Sequence, residues 1–312
     1  MPNLESVLID ELAVPESLIE EAVREAYSHV RLIKIPKRNG GVRVAYQPSS
    51  KIKLIQYWLL DNCFSKIPIH ISSAAFCPGA SIKKNAEQHA ANRYFIRVDI
   101  QDFFPSIRFV DFLPYLKEWH DVEQPTWPLD GSSIPIIQAA CFTQSGTLPI
   151  GYPTSPNIAN IVMRNLDELI VSELTVKTGV KDIKYTRYAD DMVISCNEKG
   201  GCNKILVALT KIIHQSSSPQ LKINHDKTRF MSKGGGSAIV TGIVIRQDGT
   251  ITVPRKYKDQ IRLILSRIRK GAENFESKEQ IRGHLNHLRD IDPDYYNWLT
   301  IHYFDTIEKI VV

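Results

Sequence analysis

The chain has 312 residues, of which 43% are hydrophobic and 23% charged, as in an ordinary globular protein of one large domain or two smaller ones. It has no run of about 18 apolar residues and its beginning is acidic, so we expect neither a membrane-spanning helix nor a secretory signal. Five cysteines without a CxxC pair predict reduced thiols rather than disulfides or structural zinc. Residues 203–312 carry 18 Lys and Arg against 11 Asp and Glu, which indicates either a phosphate-binding surface or a solvated helix face.

The first part of the chain mixes helical and extended patterns. Residues 1–30 have the spacing of one or two short amphipathic helices. Residues 31–50 alternate on both sides of PKRNGG, which predicts a basic β-hairpin with a glycine tip. Helical spacing follows in KIKLIQYWLLDNCFSKI and SIKKNAEQHAANR. An apolar strand is then expected in YFIRVDIQDFFPSI, ending at Pro105.

The second part begins with a turn marked by proline and serine. This turn leads into a long helix in GYPTSPNIANIVMRNLDELIVSEL. After it we expect, in order, a hairpin in KYTRYADDMVIS, a helix in NKILVALTKIIHQ, a strand in LKINHDKTRFM, a hairpin in AIVTGIVIRQDGTITV, a basic amphipathic helix in RKYKDQIRLILSRIRK and a final helical segment. This order predicts an α+β protein. The change to a basic helix places a domain boundary at 250/251.

Three acidic residues lie where strands end. Asp190 and Asp191 separate two β-prone arms, so a tight turn is expected to hold them at a hairpin tip, and Asp99 ends another apolar strand. If these ends meet at one sheet edge, the three carboxylates cannot all ionise without a cation. Mg²⁺ prefers such ligands together with substrate phosphates, and two ions can clamp an in-line phosphoryl transfer. The alternatives are a solvated loop for the Asp pair and a strand-end cap for Asp99.

Four segments of the chain resemble the motifs of reverse transcriptases. Tyr188–Asp191 (YADD) matches the YxDD signature, and VDIQDFFPSI resembles the first catalytic motif, with Asp99 as its acid. LPIGYPTSPNIAN resembles the pattern LPQGxPxSPxxxN, and LKINHDKT resembles a later segment that contains Lys227. They occur in the family's order, over roughly residues 30 to 270.

Two short segments narrow the resemblance to retron enzymes. Asn85–His89 (NAEQH) matches the retron pattern NAxxH, and Val240–Gly242 matches the VTG triplet. Taken alone, each has a structural alternative, a helix with polar faces or a strand with a glycine bulge.

The resemblance implies a right-hand polymerase fold, with fingers and a palm built on an antiparallel sheet over 31–250 and a helical thumb over 251–312. It implies that Asp99, Asp190, Asp191 and the Ile100 carbonyl hold two Mg²⁺ ions, with Mn²⁺ as a substitute. Lys227 is either a proton donor to pyrophosphate or a surface lysine. The residues expected to bind the incoming dNTP are Arg43, Lys37, Phe104 as a steric gate, Gly151 and Tyr188. The alternative for Phe104 is that it is simply a core residue, and the alternative for Arg43 and Lys37 is that they are solvated surface charges. Phe103 is expected in the core.

The chain departs from the family pattern at Ile150 and Tyr152, which stand where glutamine and alanine are usual. Because Ile150 cannot hydrogen-bond through its side chain, the Gly151 backbone is expected to hold that nucleotide contact. The residues expected to contact RNA or DNA are Asn85, His89, Val240, Thr241, Gly242, Arg255, Lys256, Arg262 and Arg269. Aromatic residues near the end of the chain either stack on bases or close the thumb core; they are Tyr295, Tyr296, Trp298 and Tyr303. His284 and His287 are a weak metal pattern.

The function implied by the resemblance is that of a retron RNA-directed DNA polymerase in the bacterial cytoplasm. Its expected partners are dNTPs, a noncoding RNA (msr-msd), the branched msDNA product primed from a guanosine 2′-OH, and a separate effector in antiphage defence, with no membrane. The alternatives are another bacterial reverse transcriptase, of the group II intron or diversity-generating type, and a non-catalytic scaffold that holds RNA–DNA and an effector. The intact Asp99, Asp190 and Asp191 argue against the scaffold.

Overall fold

The structure is a computed structural model that describes residues 2–36, 40–236, 238–271 and 276–311. The helices are α1 (Leu4–Leu12), α2 (Glu16–Arg24), α3 (Ser50–Asn62), α4 (Ile82–Gln88), α5 (Phe103–Ser106), α6 (Phe109–Glu123), α7 (Ser133–Cys141), α8 (Ser155–Thr178), α9 (Gly201–Gln215), α10 (Arg255–Arg269), α11 (Lys278–Ile291), α12 (Pro293–His302) and α13 (Phe304–Val311). The strands are β1 (Arg31–Pro36), β2 (Val42–Gln47), β3 (Tyr94–Ile100), β4 (Lys184–Tyr188), β5 (Asp191–Cys196), β6 (Ile223–Ser232), β7 (Ile239–Val240), β8 (Ile243–Ile245) and β9 (Ile251–Thr252).

The central sheet has the strand order β4-β5-β3-β6, and every neighbouring pair is antiparallel. Its middle strand β3 is almost continuously apolar, and Phe95, Ile96, Val98 and Ile100 are all buried because helices cover the sheet. The predicted long helix is confirmed as α8, which has a proline in its first turn and ends at Gly179 in the left-handed conformation. Most buried side chains of this sheet pack with its helices in the first of two hydrophobic cores among the described residues, while Phe95 and Val193 pack in the second.

The N-terminal helices belong to that first core. Leu4 and Leu8 of α1 and Ile19 of α2 are fully buried within it, together with Ile55 and Leu59 of α3. The predicted helices are therefore confirmed. However, residues 1–30 pack as part of the first core rather than as a separate segment.

The predicted basic hairpin is confirmed as β1–β2. Gly40 and Gly41 at its tip both have φ near +80°, a conformation that glycine adopts without steric cost. The hairpin joins the rest of the molecule through the Tyr46 N–H, which donates a 2.7 Å hydrogen bond to the Ile150 carbonyl. Lys37 lies outside the described residues.

The second core contains the sheet β7-β8-β9 and the helices α10 to α13. β8 and β9 pair directly, and the boundary expected at 250/251 falls between them. Residues from Ala238 onwards pack together with the C-terminal helices. We therefore propose that the thumb begins near Ala238 rather than at residue 251.

Two helical regions differ from the expectations. The strand expected to reach Pro105 ends at Ile100, because Asp102 has φ +44° and turns the chain into α5. The helices α6 and α7 were not expected at all. Pro114 inside α6 interrupts the helical signal, although Phe112 and Leu116 bury the apolar face of that helix. No helix in the described ranges has both the length and the apolar character needed to cross a membrane.

Candidate active site

A cavity of about 960 Å³ opens between the β1–β2 hairpin and one edge of the central sheet. Most of the residues expected at an active site line this single cavity. These residues are Arg43, Asp99, Ile100, Phe104, Asp190, Asp191 and Lys227. They come from six different elements or turns, so the fold brings together residues between positions 43 and 227.

The three acidic residues meet where β3 and the β4–β5 hairpin run side by side. β4 ends at Tyr188 and pairs with Asp191, so Ala189 and Asp190 form a two-residue turn, with φ +55° at Ala189. Asp99 lies directly opposite Asp191 in the β3–β5 register. The Ile100 N–H donates a 3.0 Å hydrogen bond to the Asp190 carbonyl, which fixes the turn against the end of β3.

Two of these carboxylates have a cationic neighbour. Lys227 Nζ lies 3.0 Å from both Asp99 carboxylate oxygens and donates to them. Arg97 Nε lies 3.4 Å from Asp191 Oδ1, without the alignment of a hydrogen bond. Arg97 was not among the expected residues. Its signal in the sequence is the spacing from Asp99, because residues two apart on a strand share one face.

Burial and neighbouring carboxylates disfavour the charged forms of Asp190 and Asp191 despite the nearby cations. Burial raises the pKa of Asp190 and of Asp191, and nearby Asp99 raises both further, whereas Arg97 lowers the pKa of Asp191. Asp191 Oδ1 is buried and accepts no hydrogen bond from the described residues. An oxygen-binding divalent cation fits this donor set because it would offset the repulsion between the carboxylates.

The carboxylates do not form a closed metal cage. In the part of the chain that is described, no group of three His, Cys, Asp or Glu side chains is arranged to hold a metal ion. Mg²⁺ commonly takes only one or two carboxylates and completes its shell with substrate phosphates and water. The arrangement of Asp99 opposite Asp191, beside Asp190, is compatible with that second kind of site.

The residues expected to bind a nucleotide fall into two groups. Arg43 and Phe104 line the cavity; the Phe104 ring is partly buried and meets Phe103, which lies in the core, with 5.4 Å between ring centroids. Gly151 and Tyr188 are not among the lining residues. For these two, binding of the incoming dNTP stays a prediction. Gly151 packs against the Tyr46 backbone, and the Tyr188 ring lies 6.3 Å from that of Phe76.

The NAxxH and VTG segments pack against each other inside the protein. The Asn85 side-chain amide lies 3.5 Å from Thr241 Oγ1, and Thr241 Oγ1 donates to the Ile82 carbonyl at 3.2 Å. Val240 is fully buried, and Thr241 and Gly242 form the tight turn between β7 and β8. This turn, rather than a bulge, explains the glycine, because both residues have positive φ.

His89 is fully enclosed between α4 and the central sheet. Its Nδ1 lies 2.7 Å from Ser195 Oγ and its Nε2 lies 2.8 Å from Thr186 Oγ1. The expected direct contact of His89 and Val240 with RNA is therefore wrong for this structure, because neither side chain reaches the surface. Asn85 is only 1% exposed and needs the same correction.

The basic helix α10 presents the expected cationic residues on its outer face. Arg255 and Lys256 are exposed, Arg262 is exposed but pairs with Asp259, and the Arg269 guanidinium lies 4.8 Å from the Tyr303 ring centroid. The inner face of α10 buries Ile261, Ile264 and Leu265, as its spacing predicts.

The aromatic residues of the C-terminal helices mostly close the second core. Tyr295, Tyr296 and Tyr303 pack against that core, which favours the core alternative for these three. Trp298 is 38% exposed and stacks on Tyr295 at 5.8 Å. His284 Nδ1 lies 2.7 Å from the Tyr257 hydroxyl and so has a structural partner.

An ion pair behind the Ala189–Asp190 turn was also not expected from the sequence. Arg187 on β4 and Asp167 on α8 are both completely buried and lie 2.7 Å apart. Burying an ion pair is costly, so an arginine inside a predicted apolar strand was the available signal. Nothing in the sequence around Asp167, 20 residues earlier, indicated that it would be the partner of Arg187.

The chain is similar to known reverse transcriptases. The model of the family "Reverse transcriptase (RNA-dependent DNA polymerase)" matches residues 35–280. The retron Ec73 reverse transcriptase of Escherichia coli is 42% identical over 278 residues, covering 88% of this chain and 87% of that protein. The retron Ec86 reverse transcriptase of Escherichia coli is 30% identical over 268 residues, with 86% and 77% covered.

Some more distant relatives are covered only in part by this chain. The retron Mx65 reverse transcriptase of Myxococcus xanthus is 26% identical, and the match covers 87% of this chain but 63% of that protein. Among solved structures, telomerase from Candida albicans in complex with a fragment of telomeric RNA superposes with a TM-score of 0.47 at 11% identity. That match covers 95% of this chain and 59% of the telomerase chain.

Proposed function

Since this chain belongs to the retron-type reverse transcriptases and is therefore an RNA-directed DNA polymerase, we propose that it copies a structured noncoding RNA encoded beside it into msDNA. DNA synthesis would start from the 2′-OH of a guanosine in that RNA and would give a branched RNA–DNA hybrid. The product would act with a separate effector in antiphage defence. The observation that carries the proposal is the meeting of Asp99, Asp190 and Asp191 at one end of the central sheet.

Around these acids, the chain offers the groups that a triphosphate needs. Arg43 on the hairpin would bind triphosphate oxygens through its planar guanidinium. Phe104 would lie against the sugar and exclude a ribose 2′-OH by a steric clash. Lys227, which now holds Asp99, would move to the leaving pyrophosphate and donate a proton.

Asp99, Asp190, Asp191 and the Ile100 carbonyl would hold two Mg²⁺ ions, or Mn²⁺ in their place. The ions would stabilise the negative charge on the attacking and leaving oxygens. The chain's own contribution is to keep these oxygen ligands together although burial raises the pKa of Asp190 and Asp191. Arg255, Lys256, Arg262 and Arg269 would contact the phosphates of the RNA–DNA duplex, and Thr241 and Gly242 are the members of the VTG turn with access to solvent.

The rival functions have less support. A group II intron or diversity-generating enzyme does not explain a 42% identical retron relative over most of both chains. A non-catalytic scaffold does not need three acids facing a cavity, since burying carboxylates without a catalytic use is costly.

The experiment that tests the proposal combines the purified protein with its neighbouring RNA, Mg²⁺ and labelled dNTPs. We expect a DNA product that stays linked to RNA until a 2′–5′ debranching enzyme is added. Asp190→Asn should reduce synthesis by about 100-fold or more while RNA binding stays within about twofold, because a carboxylate at the reacting centre is lost. Asp121→Asn, an exposed residue on α6, is the matched control and should leave both unchanged.

The possible outcomes separate the parts of the proposal. DNA synthesis with no branched product would overturn the retron priming step and leave the polymerase activity standing. Undiminished synthesis by Asp190→Asn would overturn the assignment of the site. If the protein, purified from cells that also express the adjacent genes, carried no bound partner protein, the proposal of a separate effector would be overturned.

A further inference from the structure

The strand that carries the catalytic turn is held from behind by a buried arginine. Arg187 is 0% exposed although it is one of the largest side chains in the protein. Its Nε lies 3.0 and 3.1 Å from the two oxygens of Asp167, and its Nη2 lies 2.7 Å from Asp167 Oδ2. The Tyr185 hydroxyl donates to Asp167 Oδ1 at 2.6 Å, which completes the shell of this carboxylate.

The remaining nitrogen of Arg187 points along the strand towards the turn. Arg187 Nη1 donates to the Ala189 carbonyl at 3.3 Å and to Asn160 Oδ1 at 3.1 Å. The Ala189 carbonyl belongs to the peptide group that enters Asp190. A hydrogen bond to this oxygen therefore limits rotation of the peptide plane from which the Asp190 side chain is displayed.

The outer edge of the same strand is also tied down. The Arg187 N–H donates to the Ser72 carbonyl and the Ala74 N–H donates to the Arg187 carbonyl, both at 2.8 Å. Asn160 connects to this segment through its amide, which donates to the Ala75 carbonyl at 2.8 Å. Arg187 is thus fixed on its backbone and its side chain before it reaches the turn.

Stability alone does not account for the charged pair. A buried ion pair is often no more stabilising than apolar side chains of similar volume, because both ions lose their hydration. A guanidinium differs from an apolar group in having several donors with fixed directions. In Arg187, one edge of the guanidinium binds Asp167 and the other edge faces the turn. Ala189 in this turn has φ +55°, a conformation that non-glycine residues seldom adopt.

We infer that Arg187 is a positioning residue for DNA synthesis: through the Ala189 carbonyl it sets the orientation of Asp190 relative to Asp99, and Asp167 holds Arg187 in that direction. The inference rests on the polymerase activity of the proposed function and does not depend on the retron RNA or on branched priming. It is therefore tested on a simple substrate, a DNA primer on an RNA template, so that failure of the retron-specific steps does not affect the result.

The first test variant is Arg187→Lys in the full chain. Lysine keeps a positive charge beside Asp167, but its single ammonium cannot contact both the carboxylate and the Ala189 carbonyl in the same way. We expect kcat to fall by about 10- to 100-fold, the range for a small misplacement of a catalytic group. The KM for dNTP and the Kd for primer–template should stay within about twofold, because Arg43 and α10 are unaffected.

A second variant separates positioning from stability. The triple change Arg187→Met, Asp167→Leu and Tyr185→Phe removes both charges and the hydroxyl that would otherwise lose its partner. Its melting temperature is expected to be nearer to that of the wild type than that of Arg187→Lys, while kcat remains reduced by at least about tenfold. Leu174→Ala, which opens a cavity in α8 two turns from Asp167, is the matched control: it should lower the melting temperature with kcat within about twofold.

The inference is overturned if the triple variant recovers wild-type kcat, since the pair would then serve folding only. It is also overturned if Leu174→Ala lowers kcat as much as Arg187→Lys does at an equal loss of melting temperature. If the triple variant does not fold, the comparison of Arg187→Lys with Leu174→Ala decides the question. A wild-type protein without activity on the simple substrate would instead refute the polymerase function itself.

Discussion

His89 illustrates how a motif residue can serve the active site without touching a ligand. Burial between α4 and the sheet lowers its pKa to about 4, and nearby Lys184 lowers it in the same direction. The neutral ring bridges Thr186 on β4 and Ser195 on β5, the two strands that flank the Ala189–Asp190 turn. Burial, rather than the two hydroxyl partners, keeps this imidazole without net charge.

Because the folded-state pKa of His89 lies below its ordinary value near 6.5, protonation favours the unfolded state. The contribution of neutral His89 to the free energy of unfolding should therefore be fully present above about pH 6.5. The free energy of unfolding should fall by about 3 kcal/mol on acidification towards pH 4. Urea titrations at several pH values would measure this loss. His89→Gln should lose less over the same interval, whereas His29→Gln, at an exposed position, should behave as the wild type. An equal pH dependence of His89→Gln and the wild type would contradict this prediction.

At the scale of elements, the β1–β2 hairpin depends on a close backbone contact. Gly151 has φ +105°, and a Cβ at this position would lie 2.7 Å from the Tyr46 carbonyl oxygen of β2. The neighbouring Ile150 carbonyl accepts the hydrogen bond from the Tyr46 N–H. The glycine therefore allows the hairpin that carries Arg43 to seat against the loop before α8.

Gly151→Ala should displace β2 and with it Arg43. We expect the KM for dNTP to rise by about tenfold, the equivalent of one weakened charge-assisted hydrogen bond. The matched control is Gly146→Ala: Gly146 also has positive φ, but a Cβ there would meet only Gln138, at 4.0 Å. Steady-state kinetics on a primed RNA template would measure both variants. Equal effects of the two substitutions would show that backbone strain, rather than the contact with Tyr46, limits activity.

At the scale of the whole molecule, positive charge is concentrated in the C-terminal third. Arg255 and Lys256 open α10 on the exposed side, while the apolar side of α10 is buried in the second core. Exposed cations that contact phosphates release counterions from the nucleic acid on binding. The thumb should therefore make RNA–DNA binding strongly salt-dependent.

Arg255→Gln with Lys256→Gln should weaken duplex binding and lower the magnitude of the slope of log K against log salt by about 1.8, about 0.9 for each lost phosphate contact. Fluorescence anisotropy over a salt series would measure the slope. Arg24→Gln with Lys117→Gln removes two exposed charges from helices of the first core and should leave the slope unchanged. If both double variants gave the same slope, the duplex would not lie along α10.

The features that could be predicted from the sequence are those carried by local pattern. The glycine-tipped hairpin, α8, α10 and the strands that carry Asp99 and Asp191 follow from periodicity, turn residues and caps. The site residues that were missed depend on distant partners. Arg97 needs Asp191, and the roles of His89 and Arg187 depend on how α4 and α8 pack on the sheet, which no local spacing encodes.

α4 belongs to both halves of the protein. Ala86 packs in the second core with the C-terminal helices, and Lys83 Nζ donates to the Asp290 carbonyl of α11 at 2.7 Å. One turn later, His89 is bonded to the palm strands. If recombination exchanged the C-terminal unit between related enzymes, the intact unit would therefore consist of two segments that are separate in the sequence. A transplanted C-terminal third would have to bring its own α4, more than 140 residues upstream, or it would meet a helix fitted to a different partner.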